Sequence, residues 1–215
     1  MNYTNGHVVQ SGTIFCVASN YVLHAQEMGT VVPSEPSIFI KPPQAIIHSG
    51  DSIICPAMSN LVHHEVELVV VIGKDCSNIS RNDAHKYISG YAVGIDVTMR
   101  DVQKKAKETG KPWAIAKGFV SSAPVSDIVP AEQFGFQIPD FDLILYVNEE
   151  LRQSGNTSSM QRSVAEMIEF LSSIFTLRAN DLIFTGTPEG VGAIKTGDVL
   201  SAELKGYVKL NVNVR

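Results

Sequence analysis

Two glutamates one residue apart, set in an otherwise apolar run, are the first residues here whose type and spacing can do chemistry. The run is His63-His64-Glu65-Val66-Glu67-Leu68-Val69-Val70-Val71-Ile72. Side chains alternate across an extended strand, so Glu65 and Glu67 share one face, and Val66, Leu68, Val70 and Ile72 share the other. Beyond Glu67 both faces are apolar, which predicts a strand buried on both sides. Two carboxylates on such a face repel each other and lose hydration, and a divalent cation answers both costs at once. Asp96 is placed in the same way inside Tyr91-Ala92-Val93-Gly94-Ile95-Asp96-Val97. Three hard oxygen donors select Mg²⁺, Mn²⁺ or Ca²⁺ over softer-site metals. On spacing alone two alternatives stay open. The glutamates face solvent from an edge strand while Asp96 pairs with Arg100, or one of His63 and His64 joins a zinc site.

Other residues carry weaker signals. His24 and Glu27 are three apart, which on a helix puts them on one face within reach of a shared water; the alternative is an incidental pair on a solvated helix. Lys117 lies among apolar neighbours in Ala114-Ile115-Ala116-Lys117-Gly118-Phe119. Read as a buried strand position, it needs an anion, either a substrate carboxylate or enolate oxygen or a structural salt-bridge partner. Arg100 has the planar fork that suits a carboxylate, with Asp96 or Asp101 as competing partners. The loop Thr185-Gly186-Thr187-Pro188-Glu189-Gly190-Val191-Gly192 can offer backbone N–H groups and the Thr187 hydroxyl to a carboxylate. It lacks the Gly-Lys-Ser/Thr ending of a phosphate loop.

These residues need a scaffold. The pattern predicts strands over 13–17, 38–40, 65–72, 91–97, 182–185, 199–204 and 207–214, the last two flanking a Lys205-Gly206 turn. A short helix or lid is predicted over 20–28, closed by Gly29. Thr98 reads as the N-cap of a second helix, with Asp101 at capping-box spacing and Lys104, Lys105 and Lys107 near its C-terminal end. Ser159 reads as the cap of a third, running to about Phe175 with apolar residues at i, i+3, i+4 and i+7. Strands outnumber helices without regular βαβ alternation, which predicts an α+β domain on a folded-over mixed sheet.

The chain's 215 residues, 44% hydrophobic, suffice for one sizeable core and are few for two. A net charge of −5 without a basic run speaks against nucleic acid or an anionic membrane as partner. Three cysteines, Cys16, Cys55 and Cys76, form no CxxC pair and predict no disulfide framework. Residues 1–10 show no basic start or apolar run, so no secretory signal is expected, and a cytoplasmic location is the expectation.

Taken together, several segments resemble the fumarylacetoacetate hydrolase superfamily, in the family's own order and from Ile14 onward. They are Asn20-Tyr21-Val22-Leu23-His24-Ala25-Gln26-Glu27-Met28-Gly29, Phe39-Ile40-Lys41-Pro42, His63 to Leu68, Gly90 to Asp101, Ala116-Lys117-Gly118-Phe119 and the loop from Thr185 to Gly192. The length resembles the single-domain acylpyruvase and oxaloacetate-acting branch. The resemblance implies Glu65, Glu67 and Asp96 as ligands of Mg²⁺ or Mn²⁺, with Ca²⁺ as a substitute. It implies His24 and Glu27 as a water-activating pair on a mobile lid, and Lys117 as a third catalytic residue. Arg100, Gln103, Gly186 and Thr187 would meet a small 2-oxo acid. The implied fold is a mixed β-sandwich roll, mostly β with few helices. It forms one catalytic domain over 1–215, with 1–12 as an N-terminal leader segment, assembled as a homodimer. The expected activity is acylpyruvate C–C hydrolysis with oxaloacetate decarboxylation, through an enolate that the metal stabilises. Oxaloacetate keto–enol tautomerisation is the alternative. A metal-dependent acid-binding protein without turnover is a further one, which would not need His24 and Glu27. Two departures touch the substrate end: Ala18-Ser19 where relatives often carry Gly and a basic residue, and Glu189 where a basic residue or Asp is frequent.

Overall fold

The segment Val66–Ile72 is buried at every position and sets the layout of the computed structural model, which describes residues 1–135 and 137–215. The chain begins β1 (Ile14–Ala18), α1 (Val22–Glu27), β2 (Ser37–Lys41), β3 (Ile46–Ile47), β4 (Ser52–Ile53), β5 (Val62–His64), β6 (Val66–Ile72) and β7 (Ile88–Ile95). It continues β8 (Thr98–Met99), α2 (Arg100–Glu108), α3 (Ala114–Lys117), β9 (Ala123–Pro124), β10 (Val129–Pro130), β11 (Asp142–Val147) and β12 (Glu150–Asn156). It ends α4 (Val164–Ile174), β13 (Leu182–Phe184), β14 (Gly192–Ile194), β15 (Val199–Leu204) and β16 (Val208–Val214).

A six-stranded mixed sheet has the order β10-β7-β6-β13-β1-β2, with β1 and β13 parallel and β6 antiparallel to both its neighbours. Strand parity sorts the side chains of β6 between two cores. Val66, Leu68, Val70 and Ile72 face the larger one with Leu143, Leu145, Leu200 and Ala202 of a second sheet, β12-β11-β15-β16-β4. Val69 and Val71 face a smaller one with Ile14, Cys16, Leu182 and Phe184. Each such side chain, fully withdrawn from water, stabilises the fold by about 1.5–3 kcal/mol. Gly94 lies opposite Glu67 in the β6–β7 register. A Cβ there would stand 2.6 Å from Val69 Cγ2 and 2.8 Å from Phe184 Cε1, so glycine is what lets that ring pack. The result is the expected α+β architecture, with more strand than helix. Residues 1–12 pack on its side: Tyr3 is buried, bridges to Ile128, and donates to Ser89 Oγ at 2.8 Å. Among the described residues no helix is long and apolar enough to cross a membrane.

Several local expectations are corrected. The strand expected over 65–72 starts one residue later, at Val66, and Glu65 forms the break between it and a preceding strand that was not expected: β5 pairs with β14 and β8, while β6 joins the large sheet. The strand expected over 91–97 begins at Ile88 and ends at Ile95, leaving Asp96 in the break beyond it. Thr98 does not cap α2; it lies in β8 and Met99 holds the cap position. Asp101 accepts from the Ser59 hydroxyl and the Asn60 N–H instead of closing a capping box. The cap of α4 is Ser163, which closes a capping box with Glu166; Ser159 ends a preceding 3₁₀ turn. Lys117 is the last residue of a short helix, not of a strand.

Candidate active site and metal centre

Both strand breaks, at Glu65 and at Asp96, fall side by side, because the Asp96 N–H donates to the Glu65 carbonyl at 2.8 Å. This brings Glu65, Glu67 and Asp96 together, with candidate oxygen donors all within 4.8 Å of one another and all three residues buried. They line a cleft that also receives His24, Arg100, Gln103, Lys117, Gly186 and Thr187. Glu27 stands behind His24 rather than on the wall. Every site residue expected from the sequence is therefore in or against one cleft.

The charges there are partly matched. Lys117 Nζ donates to Glu65 Oε2 at 2.7 Å, to Asp96 Oδ2 at 2.5 Å and to Thr98 Oγ1 at 2.6 Å. Arg100 contacts the other Glu65 oxygen and donates to Gln103 Oε1 at 2.8 Å; it pairs with neither Asp96 nor Asp101. Burial raises the Glu65 carboxyl's pKa, but Lys117 and Arg100 outweigh it and hold the group well below the usual carboxylate range. Burial lowers the Lys117 ammonium, and Asp96 and Glu65 more than restore it. Glu67 has no such partner. Burial first, then Asp96 and Glu65, push its carboxyl well above the usual range, although the Gly186 N–H donates to it at 2.7 Å. Gly186 reaches this position with φ of +95°, and a Cβ on it would lie 2.8 Å from Asn20 Cβ. Lys41 Nζ lies 2.8 Å from Asp96 Oδ1, yet at angles that leave this buried oxygen without a hydrogen bond. A trio of hard oxygens with one atom unsatisfied and one carboxylate short of positive charge fits a Mg²⁺ or Mn²⁺ ion. The histidines take other roles. His64 Nδ1 is 2.9 Å from Gln153 Oε1. His63 lies beside Arg100, and burial together with that charge lowers its pKa to about 4.

On α1, His24 Nδ1 is 3.2 Å from Glu27 Oε2, and both Glu27 oxygens accept from the Gly190 N–H at 3.1 and 3.2 Å. Helix α1 is thus latched to the Gly-rich loop, and the buried imidazole is braced from behind.

Two residues outside the expected set support it. Lys41, fully buried, donates to the carbonyls of Val97, Lys117 and Ser122, which fixes the break that carries Asp96. A lysine inside Ser37-Ile38-Phe39-Ile40-Lys41 is the same signal that marked Lys117. Gln153 holds the Val66 N–H at 3.0 Å, between the two glutamates, and donates to Thr187 Oγ1 at 2.8 Å and the Pro188 carbonyl at 2.9 Å. Nothing in Leu151-Arg152-Gln153-Ser154 announces that position.

Residues 13–215 match the family model described as fumarylacetoacetate (FAA) hydrolase C-terminal. The chain belongs to the fumarylacetoacetate hydrolase family. It is similar to the mitochondrial oxaloacetate tautomerase of Bos taurus, 45% identical over 204 residues, covering 94% of this chain and 90% of that protein. It is similar to the oxaloacetate tautomerase of Escherichia coli strain K12, 42% identical over 194 residues, covering 90% and 89%. Among solved structures, fumarylpyruvate hydrolase from Pseudomonas aeruginosa in complex with Mn²⁺ and pyruvate superposes with a TM-score of 0.94 at 37% identity, covering 99% of this chain and 94% of that one. The chain thus has the fold of that hydrolase, and it carries a carboxylate trio suited to a divalent metal.

Proposed function

We propose that this protein is a divalent-metal-dependent enzyme that interconverts the keto and enol forms of oxaloacetate. The observation that carries the reading is the His24 imidazole, braced by Glu27, facing the same cleft as Glu65, Glu67, Asp96 and Lys117. A Mg²⁺ or Mn²⁺ ion held by the three carboxylates would supply Lewis acidity at the 2-oxo group. With Glu27 holding the Nδ1–H, His24 Nε2 is left to take a proton from C3 in one direction and return it in the other, while the C2 oxygen gains its proton from water on enol formation and gives it back to water on ketonisation. Lys117 Nζ, whose three N–H groups go to Glu65, Asp96 and Thr98, would place its positive charge beside the oxygen on C2 as that oxygen gains charge. Thr187 Oγ1 accepts from Gln153, so its own O–H is left to meet the substrate's C1 carboxylate.

The tautomerase reading stands ahead of the acylpyruvate hydrolysis favoured from sequence, because the curated relatives at 42–45% identity bear that name. Hydrolysis is the second reading, favoured by the fit to the fumarylpyruvate hydrolase; there His24 would activate water instead. One assay separates them. Protein loaded with Mn²⁺ is given enol-oxaloacetate and, separately, an acylpyruvate. Accelerated enol decay with total oxaloacetate conserved supports the first reading, and pyruvate release from the acylpyruvate supports the second. Neither activity would sink both. We propose further that the chain works as a homodimer, as its family resemblance implies; light scattering giving a monomer mass at micromolar concentration would refute this.

A further inference from the structure

Arg100, Gln103 and Lys107 stand at i, i+3 and i+7 along α2, on one face, and all three line the cleft. The first two are engaged with Glu65 and with each other. Lys107 is different. Among the described residues no carboxylate pairs with it, and its ammonium lies over the Trp113 ring, 5.0 Å from the centroid. Trp113 sits 5.9 Å from Phe39, and Phe39 in turn carries the Lys117 ammonium at 4.9 Å. Two aromatic rings thus run from the catalytic lysine in the depth of the cleft to a second, uncommitted lysine at its mouth. The helix dipole favours a cation at this end of α2. Lys105 shares that last turn, however, so the dipole does not explain why Lys107 alone turns into the cleft.

Charge balance points the same way. Lys41, Arg100, Lys107 and Lys117 are offset in and behind the cleft by Glu27, Glu65, Glu67 and Asp96. A divalent cation then leaves two positive charges unmatched, which a dianion neutralises and a monoanion does not. Burial, with Arg100 and Lys117 repelling it, holds the Lys107 ammonium below the ordinary lysine range; an anion at the mouth would relieve that repulsion.

We infer that Lys107, backed by Trp113, is a specificity-determining residue that receives the distal carboxylate of a dicarboxylic 2-oxo acid. The inference rests on the 2-oxo acid reading of the cleft and narrows it to substrates with a second carboxylate beyond the 2-oxo end.

The test compares oxaloacetate with its 4-ethyl ester, which keeps the carbon skeleton and the enolisable C3 but loses the distal charge. In Lys107→Met the ratio of kcat/KM for oxaloacetate to that for the ester should fall by roughly 10- to 100-fold, the size of one charge-assisted contact. Most of the change should appear in KM, and Lys107→Arg should recover most of it. Calorimetry supplies a readout without turnover. Difluorooxaloacetate, which cannot enolise, should bind Lys107→Met more weakly by the same factor relative to oxalate, which has no distal carboxylate. An unchanged ratio in both measurements, with wild-type turnover intact, overturns the inference and leaves the proposed function standing. Discrimination in binding without wild-type turnover of either compound upholds Lys107 and overturns the tautomerase reading. Binding of neither probe by wild type overturns both.

Discussion

His24 shows how a residue's surroundings assign it a role. Its ring is buried, its Nδ1 is committed to Glu27, and its other edge faces the cleft. A base so held should act in proton transfer and contribute little to ligand binding. His24→Ala should therefore slow oxaloacetate tautomerisation by about 10²–10⁴-fold, the usual contribution of a positioned general base. Oxalate affinity measured calorimetrically on the Mn²⁺-loaded variant should stay within a few-fold of wild type. Equal losses in rate and affinity would make His24 a structural residue of the lid. Lys117 admits no such clean separation. Its ammonium already bridges two of the three clustered carboxylates, so removing it disturbs charge balance, metal affinity and catalysis together.

At the scale of elements, the strands were legible and the breaks between them were not. Alternation and β-branching marked β6, β7, β15 and β16, because burial of one or both faces writes itself into periodicity. The interruption at Glu65 follows from a long-range event that leaves no periodic trace: the Gln153 side chain on β12 takes the Val66 N–H that a continuous strand would give to its neighbour. The cap of α4 was misplaced because residues 158 and 159 are serines, as is Ser163, and only the last meets a glutamate three residues on. Glu65, Glu67, Asp96 and Lys117 are legible as charged residues in apolar surroundings, and Gln103 only through the family resemblance; Gln153 gives neither signal. Gln153→Leu should keep the fold, read by circular dichroism, and weaken Mn²⁺ binding by roughly 10- to 100-fold, as loss of an outer-shell partner does. Unchanged Mn²⁺ affinity would mean that the break at Glu65 holds without it. The cap of α4 has a pH signature. The Ser163 N–H and hydroxyl hold the Glu166 carboxyl below the ordinary range. A depressed folded pKa adds stability above the unfolded value of about 4.3 and loses it as pH falls through the folded value. Glu166→Gln should flatten that part of the stability–pH profile in urea unfolding; a profile parallel to wild type would show that the cap does not titrate with folding.

For the molecule as a whole, the two cores on either side of β6 hold three carboxylates together against their mutual repulsion. This is stability given up at a functional site and supplied elsewhere in the fold. The clearest consequence is a change of sign at Glu67, the member of the trio without a cationic partner. Glu67→Gln keeps the side-chain volume and an oxygen to accept from the Gly186 N–H, while removing a carboxyl whose ionised form burial, Asp96 and Glu65 oppose. In chelator-treated protein the substitution should leave the thermal midpoint equal to or above that of wild type. With metal the order should reverse. An ion that binds the folded but not the unfolded chain adds about 2.7 kcal/mol at a hundred times its Kd, which for a domain of this size raises Tm by roughly 5–10 °C. Wild type should show that rise on titration with Mn²⁺, and Glu67→Gln should show little of it at the same concentrations. The paired melts, with and without metal, are therefore read as a crossing. If Glu67→Gln were less stable than wild type in chelator, repulsion within the trio would not be the governing term. If its Mn²⁺ response matched wild type, Glu67 would not be a metal ligand.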